Sequence, residues 1–285
     1  MPAFESPSPI TVNVHVFLGD IEIIASDRTD TVVEVRPTDS SKKDDVRAAE
    51  ETAVDFAGGS LTVKAPRGLR MYTPFSGNPS IDVTIEVPTG SQLHGTASVA
   101  RFLGSGELGE CDLKTSVGDL QLEKAGPVRL RTSGGNITVD HVAGRADITT
   151  STGIVRVREI DGSAAIKNSN GDSVVREVVG DIQVKAANGN ITVERSRGSV
   201  TAKTANGNVR VGDASNGDLR LETSNGELEV GIHPGNSAWL DVNAKSGTVQ
   251  NLMEITDRPA DGEEVVQVYA RNSFGNIIIR QATAL

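Results

Sequence analysis

Residues 126–206 read GPVRLRTSG GNITVDHVA GRADITTST GIVRVREID GSAAIKNSN GDSVVREVV GDIQVKAAN GNITVERSR GSVTAKTAN, nine words of nine residues that each open on glycine. The glycines continue outward, to Gly118 and Gly109 on one side and to Gly207, Gly217, Gly226 and Gly235 on the other, with single-residue slips. Each word follows its glycine with a small polar residue, then apolar, polar, apolar. That alternation sets positions three and five on one face of a short strand and position four on the other. The expected inward residues are therefore Val128 and Leu130, Ile137 and Val139, Ile182 and Val184, Ile191 and Val193, and Leu219 and Leu221. A longer period overlies the first. Asn170, Asn188, Asn206 and Asn225 each precede a glycine at the end of alternate words, so the unit is about 18 residues with two unlike strands.

Two architectures suit such a unit. In a solenoid each unit is one coil, and like strands stack in parallel about 4.8 Å apart. In a meander each Asn-Gly is a hairpin turn. A meander of this length presents one wholly apolar face, and closing it into a barrel leaves a lumen that Val and Ala do not fill. A coil folds its two apolar faces onto each other. The expectation is all-β: a parallel β-solenoid, like a β-helix or β-roll, with the meander as the alternative.

The flanks differ from the middle, as solenoid caps must. Strands are expected over 10–17, 20–25, 31–36, 61–65 and 80–87, with one helix near 42–56, where Val46, Ala49, Ala53 and Phe56 recur at helical spacing. Residues 68–79 read as a loop. Two later strands, 264–271 and 276–280, follow a polar turn at 257–262. The chain is read as one continuous domain: an N-terminal β-rich cap over 1–95, the array over 96–250 and capping strands over 251–285.

Composition agrees with a thin core. Aromatics are 3% of 285 residues and glycines number 30, so a narrow interior of Val, Ile and Leu is expected rather than a wide globular one. The net charge of −10 argues against nonspecific nucleic-acid or membrane-surface binding. A single cysteine excludes an internal disulfide. No basic segment followed by an apolar run opens the sequence, and no stretch approaches the roughly 20 apolar residues of a membrane-spanning helix, so a cytoplasmic location without membrane insertion is expected.

The order of segments is also familiar. Leu18-Gly19-Asp20-Ile21-Glu22-Ile23 opens the chain, Val83-Thr84-Ile85-Glu86-Val87-Pro88 leads into the array, and repeated Ser/Thr/Ala-x-Gly-Asp/Asn-Ile-x-Val units follow. In this the chain resembles the bacterial putative-adhesin family of β-strand-repeat domains of unknown function, over nearly its whole length. The resemblance implies a single-chain β-solenoid, and it brings no catalytic or ligand residues with it.

The chemistry legible in the repeat is sparse. Position six carries Lys, Arg, Thr, Asp or Glu without rule, so the carboxylates of a calcium-binding β-roll are missing, and no metal or cofactor is expected. Asp119, Asn136, Asp172, Asn190 and Asn208 are expected to serve bend amides. Asn170, Asn188, Asn206 and Asn225 should stack as a structural amide ladder. Lys167, Lys185 and Lys203 share an outward position in successive coils, with Arg131 two coils below and Glu222 next above. That row is the candidate site for an anionic polymer, beside the plainer reading of a solvated face. Asp140, Arg158, Arg176 and Glu194 form a second, self-compensating row.

For catalysis, Asp112 and Asp147 share an outward position but should lie two coils apart. His15, His94, His141 and His233 show no ligand spacing, Cys111 takes an inward position, and Trp239 is expected to plug the end of the array. The leading reading is a noncatalytic scaffold or protein-interaction module whose partner is another protein. An anionic-polymer or carbohydrate binder using the lysine row is the alternative, and a polysaccharide-acting enzyme the second alternative.

Overall fold

The computed structural model describes residues 2–66, 78–253 and 265–283. They fall into two compact units, Met1–His141 and Val142–Leu285. Most of the expected loop at 68–79, the turn at 257–262 and residue 264 lie outside the described residues.

The first unit begins with β1 (Ala3–Glu5), β2 (Thr11–Ser26), β3 (Asp30–Pro37), the helix α1 (Lys43–Glu50), β4 (Ala53–Ala57) and β5 (Ser60–Lys64). It continues with β6 (Ile81–Pro88), β7 (Gln92–Leu108), β8 (Cys111–Lys114), β9 (Leu120–Ala125), β10 (Val128–Gly134) and β11 (Ile137–Val142). The two segments expected at 10–17 and 20–25 are one strand, β2, folded at Gly19. That glycine has φ 140°, and a Cβ there would lie 1.7 Å from the Ile81 carbonyl oxygen, so no other residue fits the corner. β7 repeats the shape in parallel register, from Thr11 beside Gln92 to Ile24 beside Ser105. β8 and β9 then lie on its two halves, and β10 lies on β8. On the other side of β2, β5 and β6 take one half each.

Beyond them the pairing turns antiparallel, with β4 on β5, β3 on β6 and β1 on β3. The outermost strands are thus short, and short edges are poor templates for further pairing. Phe4 of β1 and Phe56 of β4 stack with ring centroids 5.0 Å apart, joining the two outer strands.

The helix is shorter than its sequence pattern predicts. Residues 53–57 alternate as well as they recur at helical spacing, and Gly58 and Gly59, at φ 58° and 74°, close a two-residue hairpin onto β5. The turn decides for strand. Asp45, buried on α1, accepts the Ser80 amide at 3.0 Å and ties the helix to the start of β6.

In the second unit, one face holds β12 (Ala146–Thr152), β14 (Ala164–Asn170), β16 (Ile182–Asn188), β18 (Val200–Asn206) and β20 (Asp218–Asn225). The other holds β13 (Val155–Ile160), β15 (Ser173–Val178), β17 (Ile191–Ser196), β19 (Val209–Ala214) and β21 (Leu228–Ile232). Like strands pair in parallel at an offset of 18 residues, as Ile182 beside Val200 shows, and this excludes the meander. After the ten-residue word at 207–216 the offset is 19, and a bulge between Val211 and Ala214 absorbs the extra residue. The chain is a parallel β-solenoid with a single described helix.

The inward positions are filled as their alternation requires. Ile182, Val184, Ile191, Val193, Leu219 and Leu221 are all buried.

The final coils are interleaved. β22 (Ser237–Ser246) and β23 (Val249–Asn251) do not lie on β20 and β21. β24 (Val265–Phe274) pairs with β20 on one edge and β22 on the other, and β25 (Ile277–Gln281) does the same between β21 and β23. The last strands in sequence are therefore the penultimate layer, and β22 with β23 form the terminal one. Trp239 corrects its expectation as a plug: it stands on the outer face of β22, half exposed, with its ring 5.4 Å from Tyr269. An outward parity in β22 leaves no inward position for it, since Leu240 and Val242 take those.

Candidate binding surfaces

Strand register determines which side chains meet. Asn188 Nδ2 donates to Asn170 Oδ1, Asn206 Nδ2 to Asn188 Oδ1 and Asn225 Nδ2 to Asn206 Oδ1, each at 2.9 Å, while Asn170 Nδ2 reaches the Ser151 carbonyl at 3.2 Å. Asn170, Asn188 and Asn206 both give and receive, and Asn225 only gives among the described residues, so the file is a polarised chain. A second ladder follows the bend glycines. Asp172 accepts the Asn190 amide at 2.8 Å, Asn190 that of Asn208 at 2.9 Å, and Asn208 that of Glu227 at 2.8 Å; Asp119 accepts that of Asn136 at 2.7 Å. A third file is buried. Asn168, Thr204, Thr223 and Asn272 donate to the carbonyls of Gly153, Gly189, Gly207 and Gly226. The sequence pattern gave no cue to this file, because Thr and Asn at a bend look like surface residues.

Lys167 lies beside Lys185 and Lys185 beside Lys203, on the outer face of β14, β16 and β18. Lys203 is answered by Glu222 at 2.7 Å, and that carboxylate raises its pKa. Lys167 and Lys185 have no ion pair among the described residues. Arg131 belongs to the first unit, beside Lys114. The row is therefore two free ammonium groups and one neutralised. On the opposite face Arg176 approaches Glu194 at 3.8 Å, as the second row anticipates.

One groove escaped the sequence reading. Position six of two successive words on that face is Gly212 and Gly231, where earlier words carry Arg or Glu, so the row of side chains is interrupted. A Cβ on Gly231 would sit 1.9 Å from the Gly212 carbonyl oxygen. The resulting groove, about 530 Å³, is walled by Glu194, Arg195, Arg210, Asp213, His233 and Arg280. Its charges are matched internally. Glu229 takes Arg280 at 2.8 Å and Arg210 at 3.5 Å, Glu177 takes Arg195 at 3.2 Å, and Asp213 takes His233 Nδ1 at 3.0 Å. The paired glycines were the signal available in the sequence.

The carboxylates weighed for catalysis are not brought together. Asp112 accepts from Arg129 at 3.5 Å in the first unit, whereas Asp147 stands beside Ala165 in the second. Cys111 is fully buried, and burial, with the nearby Glu110 charge, pushes its thiol up to about 12.

The terminal layer is different in kind. Val266, Val268 and Ala270 of β24 are fully buried, but Ala238, Leu240 and Val242, at the equivalent inward positions of β22, are partly open. Eight large apolar side chains are exposed among the described residues. Five of them, Trp239, Val249, Leu252, Val265 and Phe274, belong to these last two layers. Among the described residues the ten-residue β22 pairs on one edge only.

Comparison with known proteins matches residues 8–237 to the family model described as Toastrack DUF4097. No curated protein matches. Solved structures with low identity align along most of the chain. One is described as a putative lipid binding protein from Parabacteroides distasonis (12% identity, 99% of this chain and 96% of that one, TM-score 0.39). Two are described as putative adhesins, from Bacteroides fragilis (10% identity, 98% and 95%, TM-score 0.33) and from Parabacteroides merdae (13% identity, 99% and 95%, TM-score 0.32). No helix among the described residues is long and apolar enough to cross a membrane.

Proposed function

This chain belongs to the Toastrack DUF4097 family, and from the surface it presents we propose that it is a noncatalytic scaffold that binds another protein through the terminal layer of its second unit. The observation that carries this reading is that Trp239, Leu252 and Phe274, all half or more exposed, belong to the last two layers, where β22 pairs on one edge only among the described residues. Exposed aromatic and aliphatic side chains in a layer with an unpaired strand edge suit protein recognition, because edge amides supply direction and apolar side chains supply affinity.

A photo-crosslinking amino acid placed at position 239 tests the proposal, with a control at position 185 on the lysine row. A discrete protein adduct at 239 and none at 185 is the expected result. A chain that captures at 185 and not at 239 would overturn it.

A second reading rests on Lys167 and Lys185, whose charges no carboxylate among the described residues answers. On this reading the row holds an anionic polymer. Retention on a polyuronate or polyphosphate matrix should then be lost in the K167Q/K185Q/K203Q variant, and equal retention of both forms would remove the lysine row from consideration.

A further inference from the structure

The edge of β22 that has no partner among the described residues carries a charge pattern complementary to itself. Asp241 and Lys245 are four residues apart on one strand and share its outer face by parity. When two such strands pair antiparallel about a two-fold axis through Asn243, residue 241 of each copy falls opposite residue 245 of the other, because the two numbers sum to twice 243. Both ion pairs then form on the same face. Asp241 uses Oδ1 to hold Arg271 at 2.7 Å, and Lys245 has no ion pair among the described residues. The same rotation sets Val242 opposite Ala244 and continues the half-open inward row into that of the second copy.

We propose that the terminal layer docks a second copy of this chain, β22 to β22 in antiparallel pairing, to give a two-fold dimer. This deepens the reading above and rests on it, naming the protein partner as the chain itself. A head-to-tail contact fits less well, since the first unit ends in the short antiparallel strands β1 and β4, and only a closed two-fold contact stops at two copies. A layer of one ten-residue and one three-residue strand is at the low end of interface size, so the affinity should be roughly micromolar.

The test is a charge swap read by sedimentation velocity over a concentration series. Native chain should shift from monomer to dimer. D241K sets Lys opposite Lys and K245E sets Asp opposite Glu, so each variant alone should weaken self-association by roughly tenfold or more. Mixing the two should restore a dimer, now of unlike copies, because both cross-strand pairs are again opposite in sign. Restoration on mixing also shows that both variants are folded. The single tryptophan provides an independent readout, since the half-exposed Trp239 should shift its emission to the blue as the native chain associates.

A native chain that stays monomeric through the series overturns the proposal, as does a dimer indifferent to both single variants. If the chain is monomeric while position 239 still crosslinks to a different protein, self-pairing fails and the broader reading stands. A monomer with no adduct at 239 removes both.

Discussion

Asn188 and Asn168 lie one coil apart and do opposite things. Asn188 makes two ladder bonds at 2.9 Å, one given and one received, so Asn188→Ala should cost about 1–2 kcal/mol in a denaturant titration. Asn168 donates well to two bend carbonyls, but its Oδ1 is buried without a hydrogen-bond partner. Thr204 fills the same kind of site with a hydroxyl that donates to Gly189. Asn168→Thr should therefore stabilise the chain by about 1 kcal/mol, raising the melting temperature, and a lower melting temperature would show that the amide is satisfied by something else. Cys111 makes a third residue-scale prediction. Its thiol should resist alkylation at pH 8 in the folded chain and react at once in denaturant. Because its folded pKa lies above the ordinary value of 9.0, this thiol has no effect on stability below about pH 9, and stability is lost as pH rises from there toward 12. The Asn ladder was legible from the repeat period and the inward Cys111 from its third position in a glycine-led word. His233 beside Asp213 was not, since their offset of 20 residues crosses the bulge and belongs to no repeat.

At the scale of elements, the bends leave no room between coils for a side chain. Gly189 has φ 145°, and a Cβ there would approach the Gly171 carbonyl oxygen to 2.1 Å. Gly189→Ala thus combines an unfavourable backbone conformation with a steric collision, and a loss of about 3 kcal/mol or more is expected from thermal unfolding. A change below about 0.5 kcal/mol would mean that the coils are not spaced as described. The strands themselves were easy to place from alternation. The helix was not, because Phe56 satisfies both periods, following Ala49 and Ala53 at helical spacing and Val54 in alternation, and only the Gly58-Gly59 turn separates them. The lysine row was also legible, but its neutralisation at one end depended on Glu222 actually reaching Lys203, which is a matter of rotamers.

The whole-molecule feature that sequence order conceals is the threading of β24 and β25 between two layers that both precede them in the sequence. A reader of the repeat sees two final strands and makes them a cap, since nothing in their alternation says that both their edges are paired. Their burial is the cue, for Val266, Val268, Ile277 and Ile279 are as fully enclosed as any residue in the array. From this arrangement it follows that the terminal layer of the second unit, on which the proposed binding site lies, is β22 and β23. Native-state hydrogen exchange resolved to single amides tests that most directly. The amides of β24 at Val266, Val268 and Ala270 should exchange only with global unfolding, while those facing the free edge of β22 exchange many-fold faster in dilute, monomeric protein. Slow exchange throughout β22 with fast exchange in β24 would reverse the two layers and remove the surface on which the functional proposal stands.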